Sequence, residues 1–432
     1  MFLPSPRLPT SRAMPAKITM SNQQRYSCIM CGRCCRRFHV LLRPAEIDRL
    51  KALDWGDEPD VPTDFVVTIH GFPYFRRQPD GGCVFLGQDG ACRMHRRFGF
   101  DQKALTCRGY PFNIVSTFPG EVSVLARMDC PAVLQNHGTP IREQRRDIEK
   151  LVQELRFGDG FSPAQLNGLL RPTVEMIINA ARQLLQDVSL TITDCVSCLR
   201  ALAERTKKLG HTFLNDGNTM QEVMPSLLHS IRSVLDDRSC LDLNATERAY
   251  FRQWLCLYWR RDEEVLDRSI KTRLARAAHT AAAIAGFGNA RHFGQEHPDL
   301  PLRRVQMFNP PQNVLDDDSI WEPYRRFLDV RLECCQFFGP AYYDVSFFTG
   351  LEALCLTYPI TLAAARCHAA ANNRTTLAQD DVNYAVAMLD HCHGRSPALQ
   401  FKACRQTEQM FIHADRFHRL LFALAKPWKR KT

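Results

Sequence analysis

The chain has 432 residues, 45% hydrophobic and 24% charged, and reads as a soluble globular protein with room for two or three domains. Its formal net charge is +10, but the basic residues are scattered and, around the cysteines of the first third, nearly balanced by acidic ones, which argues against nucleic-acid binding. The longest nearly uncharged stretch, Ala353 to Ala365, is too short to span a bilayer and contains Pro359, so no membrane partner is expected.

The first twenty residues hold four prolines and two arginines and lack the continuous apolar core of a secretory signal. Residues 1–25 are expected to form a disordered extension, and the protein to be cytoplasmic, where thiols stay reduced and a dense cysteine group points to metal instead of disulfides. Residues 26–138 are rich in Gly, Pro, Cys and aromatics. Phe65 to His70 and Val122 to Ala126 read as strands, and a helix begins at Pro44 and runs to Leu53. Such a segment has little aliphatic core of its own and gains stability from bound metal.

Residues 139–425 change to helical spacing, first at Ile148, Leu151, Val152 and Leu155. A capping box at Ser162 to Gln165 opens a helix, and Thr376 to Gln379 opens another that ends near Gly394. Further helices are expected at Cys195–Leu209, Met220–Leu235, Glu247–Ala285, Tyr324–Phe337, Asp344–Ala371 and Leu399–Ala425. The proline-rich stretch 296–318 is the place for a long loop or a break between helical halves, and 426–432 is a basic tail. The fold class expected is a small metal-bound α+β cysteine-rich module followed by a mainly α-helical domain, the latter suited to hold a protein partner.

The strongest signal is Cys28-Ile29-Met30-Cys31-Gly32-Arg33-Cys34-Cys35, four thiols in eight residues, with Gly32 letting the backbone turn so that sulfurs converge. Two-residue gaps suit tetrahedral zinc, and C-x2-C-x2-C also opens a ferredoxin-type run, so spacing leaves zinc, iron and a 4Fe-4S cluster open. Cys83 after Gly81-Gly82, Cys92 after Asp89-Gly90-Ala91, Cys107, and Cys130 before Pro131 complete a candidate metal-ligand set of eight. His95 stands at ligand spacing from Cys92, with plain packing as the alternative. Arg33, Arg36, Arg37, Arg93, Arg96, Arg97 and Arg108 flank these thiols and offset thiolate charge, hold an anionic ligand or lie solvated.

This region resembles the YkgJ-type cysteine-cluster proteins, the zinc- or iron-chelating CxxCxxCC family. The resemblance rests on the first cysteine run, the helix with Pro44 and Glu46, Gly82-Cys83-Val84-Phe85-Leu86, Gly90-Ala91-Cys92-Arg93-Met94-His95 and Cys107-Arg108-Gly109-Tyr110-Pro111-Phe112. It covers Tyr26 to Pro131. Many members have an aromatic residue at the position of His95, so the family does not imply a ligand there. Some relatives join such a module to a helical region and are assigned as flagellin lysine N-methylases, which implies methyl transfer from S-adenosylmethionine to a protein lysine. No Gly-rich strand-to-helix turn accompanies that layout here, and catalytic residues stay unassigned. Elsewhere, Cys195 with Cys198 and Cys334-Cys335 read as helix packing, while Cys367-His368 and His391-Cys392-His393 are a weaker candidate for a second metal site.

Overall fold

The computed structural model describes residues 17–56, 61, 64–155, 157–235, 242–259, 267, 269–290, 300–305, 307–308 and 318–425. The N-terminal part contains β1 (Lys17–Met20), β2 (Arg25–Tyr26), α1 (Arg33–Arg37), α2 (Pro44–Lys51), β3 (Val66–Ile69), β4 (Phe72–Phe75), α3 (Arg93–Phe98), α4 (Leu105–Gly109), β5 (Phe112–Ser116), β6 (Glu121–Ala126), α5 (Pro131–Leu134) and β7 (Thr139–Pro140). The mostly helical remainder has α6 (Arg145–Glu154), α7 (Arg171–Gln186), α8 (Ile192–Leu214), α9 (Gly217–Arg232), α10 (Ala245–Cys256), α11 (Ile270–Ile284), β8 (Asn289–Ala290), β9 (Leu300–Pro301), α12 (Leu302–Val305), α13 (Glu322–Glu333), α14 (Phe347–Ala371), α15 (Gln379–Cys392), α16 (Lys402–Ile412) and α17 (Ala414–Ala425). The expected class, a small α/β cysteine-bearing region followed by a helical one, is what the chain adopts.

Residues 17–25 do not belong to a disordered extension. β1 pairs parallel to β6, with Ile18 opposite Val122, and β6 pairs antiparallel to β5. Ile18 and Val122 are buried, so the alternation that a hydrophobic core rewards extends to Lys17-Ile18-Thr19-Met20. Residues 1–16 and the basic tail lie outside the described residues, as does most of 296–318, of which 300–305 form β9 and α12.

Helix bounds differ from the sequence reading at several places: the expected Leu399–Ala425 helix is two, α16 and α17, Glu247–Ala285 holds α10 and α11, and two expected starts also shift. At Ser162 the capping box forms, with Gln165 N donating to Ser162 Oγ at 3.3 Å and Ser162 N to Gln165 Oε1 at 2.9 Å, but the chain makes only a turn before α7. A cap satisfies end groups without supplying the propagating hydrogen bonds of a helix. The helix expected from Thr376 is capped instead at Ala378, whose N–H donates to Asp381 Oδ2 at 2.8 Å.

The core shows how these parts are joined. One hydrophobic cluster runs from Ile18, Val122, Val124 and Cys130 through α6 and α7 into α14 and α17, so the β1-β6-β5 sheet is built into the helical body. A second, smaller cluster lies under the cysteines: Val40, Leu42, Leu50, Phe65, Phe75, Cys83, Phe85, Leu86, Met94 and Ala104. The cysteine-rich lobe proper therefore spans α1 to α4, and only this part depends on a core of its own. Among the described residues α14 alone is long and apolar enough to cross a membrane, and 94% of its most apolar window is buried in the fold, where it serves as the central helix.

Candidate metal centre

Each thiol segment is placed by local chemistry. Gly32, with φ of 67°, is the N-cap of the short helix α1, which carries Cys34 and Cys35. Cys83 is set opposite that helix by its own N–H, which donates to Cys35 O at 2.9 Å. Cys83 and Cys92 end two copies of the same turn, Asp80-Gly81-Gly82-Cys83 and Asp89-Gly90-Ala91-Cys92. In each the aspartate Oδ1 accepts a backbone N–H two residues on, at 2.9 Å from Gly82 and 3.1 Å from Ala91. Gly81 and Gly90 take φ of 82° and 78°, a left-handed conformation that a side chain would oppose. The repeated D-G-x-C pattern is a sequence signal that spacing analysis passed over. Cys107 rides on α4, whose first N–H groups include Leu105 N, donating at 2.6 Å to the buried Glu46 Oε1 of α2.

These placements gather part of the predicted set. Cys34 and Cys35 have their Sγ atoms 3.9 Å apart. Cys34, Cys83, Cys92 and Cys107 are close enough for their charges to act on one another: Cys83 responds to Cys92 and Cys34, and Cys107 to Cys83, Cys92 and Cys34. Cys28 and Cys130 act on Tyr26, which hydrogen-bonds Cys28 and also responds to Cys34, and Cys130 responds to Cys34 as well. Cys28 and Cys31 are exposed, Cys83 and Cys130 buried, and the other four intermediate.

Among the described residues no three Cys, His, Asp or Glu side chains stand close enough to hold one ion together. The thiols gather without closing. Burial is the first cause that pushes Cys83 and Cys130 up to about 12 and Cys107 well above an ordinary thiol; for Cys34 the hydrogen bond to Cys35 comes first, then burial. Thiols bind a divalent cation as thiolates and release their protons on binding. The fit to zinc or iron is good in donor chemistry: soft sulfurs from three chain segments in one half-buried group.

Burial works against the Lys103 ammonium, but Cys107, Cys92, Cys34 and Cys35 outweigh it and its pKa lies above the ordinary lysine value. Three of the arginines noted in sequence face carboxylates instead: Arg36 pairs with Asp80 at 2.7 Å, Arg96 with Asp89 at 2.7 Å, and Arg108 with Glu154 at 2.7 Å. His95 packs edge-on against Phe100 with centroids 5.8 Å apart, and burial, then Lys103, pushes its pKa down.

The second candidate site does not form among the described residues. His368 Nδ1 pairs with Asp381 at 2.7 Å, while His391 Nδ1 lies 3.0 Å from Asp129 Oδ2, and Cys392 Sγ donates to Tyr258 O at 3.5 Å. The His391 contact instead belongs to a buried junction between the loop ahead of Cys130 and the helical body. Arg127 pairs with Asp129, Arg331 with Asp390, and Met128 N donates to Asp390 Oδ2 at 2.5 Å. Phe38, just after the cysteines of α1, stacks on His391 at 5.8 Å. Burial opposes the Asp129 carboxylate, but Arg127, His391 and Arg395 together hold it well below the usual range. Cys195 and Cys198 are fully buried in α8, as packing residues should be.

Residues 27–131 match the model of the CxxCxxCC family, described as "Putative zinc- or iron-chelating domain". The chain is also similar to Uncharacterized protein MJ0939 of Methanocaldococcus jannaschii, 26% identical over 147 residues, which is 33% of this chain and 49% of that protein. The chain thus spans about half the length of this curated relative. No solved structure matches. The first match places the cysteine-rich region with the metal-chelating cysteine-cluster family, and neither match carries the methylase resemblance.

Proposed function

We propose that this chain is a metal-holding protein in which Cys34, Cys83, Cys92 and Cys107 bind one zinc or iron centre that closes the cysteine-rich lobe onto a helical body. The observation that carries this reading is that these four thiols, brought from three separate segments, act on one another in one half-buried group. A bound metal supplies a multivalent cross-link between α1, the two D-G-x-C turns and α4, whose binding energy then adds to folding. The chain's own residues do the rest. Asp80 and Asp89 fix the turns, Glu46 anchors the start of α4, and the core around Phe85 and Leu86 backs the thiols on the inner side. Phe38, stacked on His391, ties the lobe to the helices.

The test is metal and acid-labile sulfide content, with an absorption spectrum, on protein purified without oxygen. Zinc without sulfide assigns a structural site; iron with sulfide and a broad visible band assigns a cluster. A protein that holds neither metal, and takes up neither when reconstituted under reducing conditions, sinks the proposal.

A further inference from the structure

We propose that the buried loop closing α15, His393-Gly394-Arg395-Ser396, forms with Arg331 of α13 a binding site for one small monovalent inorganic anion of the halide class. The site lies in the helical body, and the inference is independent of which thiols hold metal.

Unmet hydrogen-bonding capacity points to it. Arg331 Nε, Arg395 Nε, Ser396 Oγ and both ring nitrogens of His393 are buried and have no hydrogen-bond partner within the protein. His393 is 1% exposed and Arg331 2%. The great majority of buried polar atoms are satisfied, and a guanidinium or imidazole N–H left without an acceptor costs the desolvation of that group. Such atoms concentrated in one loop call for an acceptor.

The groups stand together. Asp390 Oδ1 accepts from Arg331 Nη2 and, at 3.3 Å, from Arg395 Nη2. The Arg331 guanidinium lies over the Phe327 ring, 4.6 Å from its centroid, and His393 meets the same ring edge-on with centroids 6.2 Å apart while stacking on Tyr342 at 4.4 Å. The carbonyls that end α15 are already engaged: Leu389 O accepts from His393 N at 2.8 Å, Asp390 O from Arg395 Nη2, and Cys392 O from Arg395 N at 3.0 Å and Ser396 N at 2.8 Å. The loop is pressed against its neighbour, for Gly394 has φ of 74° and a Cβ there would lie 2.4 Å from Ala341 O.

Charge gives the sign of the ligand. Arg331 and Arg395 share the Asp390 carboxylate, while Asp129 serves Arg127 and His391. Three guanidinium groups against two carboxylates leave one positive charge in excess, and one buried negative charge offsets it. Water would satisfy the N–H groups without meeting that charge. A monovalent anion meets both.

The experiment follows urea unfolding of the full chain at fixed pH and constant ionic strength while sodium gluconate, too large for a buried site, is exchanged for sodium bromide or chloride. Constant ionic strength removes general screening from the comparison. Above the dissociation constant, each tenfold rise in halide should raise the folding constant about tenfold, because the anion binds only the folded chain. Arg395→Met removes the excess charge and His393→Phe the ring nitrogens; each should flatten the halide dependence, and Arg395→Lys should keep it. A wild-type midpoint indifferent to halide overturns the proposal and leaves water as the partner of these atoms. A halide dependence unchanged in both Arg395→Met and His393→Phe overturns it as well. Where a variant fails to fold, anomalous scattering from bromide-soaked crystals of the wild type takes its place: a peak beside Arg331 and Arg395 supports the site, and peaks only elsewhere overturn it.

Discussion

Asp390→Asn tests whether the junction between the loop ahead of Cys130 and the helices is held by charge. Three arginines, Arg127, Arg331 and Arg395, face two aspartates, Asp129 and Asp390, and the side chains of Arg331 and Asp390 are 3% and 2% exposed. Asparagine keeps an oxygen for the Met128 N–H, which donates at 2.5 Å, so that hydrogen bond survives. What is lost is the charge opposite Arg331 and, at 3.3 Å, Arg395, leaving one carboxylate for three guanidinium groups. Burial, then Arg127, already pushes Arg395 down to about 10, so the site has little capacity for more uncompensated positive charge. Removing one partner of a buried pair costs about 3–5 kcal/mol, a large fraction of a typical folding free energy. Urea unfolding followed by circular dichroism should show that loss. Replacing Arg331 by Met as well should recover part of it, because the stranded charge is then gone. A loss under about 1 kcal/mol, or a double variant as unstable as the two single effects summed, would refute the reasoning.

The fold class was legible because long helices advertise themselves: the Ile148, Leu151, Val152 set and the buried run in α14 follow directly from periodicity. The cysteine run and its metal chemistry were legible from spacing. Where the lobe ends was not. Val122 to Ala126 reads as one isolated strand, and nothing local says that it pairs with Lys17–Met20 and packs under α13, since strand pairing is decided by distant partners. The partners of the arginines were invisible for a related reason. Arginines next to cysteines draw attention in one dimension, yet Arg36, Arg96 and Arg108 turn toward Asp80, Asp89 and Glu154. Asp390 is likewise silent in sequence, and His391 shows there only as a weaker metal-site candidate, because their partners at 127–129 lie more than half the chain away.

Three further outcomes follow from the same geometry. Glu408 is buried, with Tyr342 OH donating to its Oε1 at 2.5 Å, and burial raises its pKa to about 7. The unfolded chain sheds that proton near pH 4.5, so the neutral form's contribution is full below that pH and is lost as pH rises through about 7. Glu408→Gln should therefore stabilise by up to about 3 kcal/mol at pH 8 and by little at pH 4.5 in urea titrations; equal effects at both would reject the assignment. Asp89→Ala removes the acceptor that shapes the Cys92 turn and should lower the urea midpoint by an amount equivalent to about 1 kcal/mol, with no change counting against it. The cysteines themselves give the sharpest contrast. Cys31 is exposed, whereas Cys107 is half-buried and responds to Cys34, Cys83 and Cys92. Zinc titration should then find Cys107→Ser crippled and Cys31→Ser close to wild type, even though Cys31 sits at the centre of the most conspicuous motif in the sequence. Equal losses in the two variants would mean that the exposed loop folds inward to complete the site on metal binding, and that the four-thiol group is the wrong ligand set.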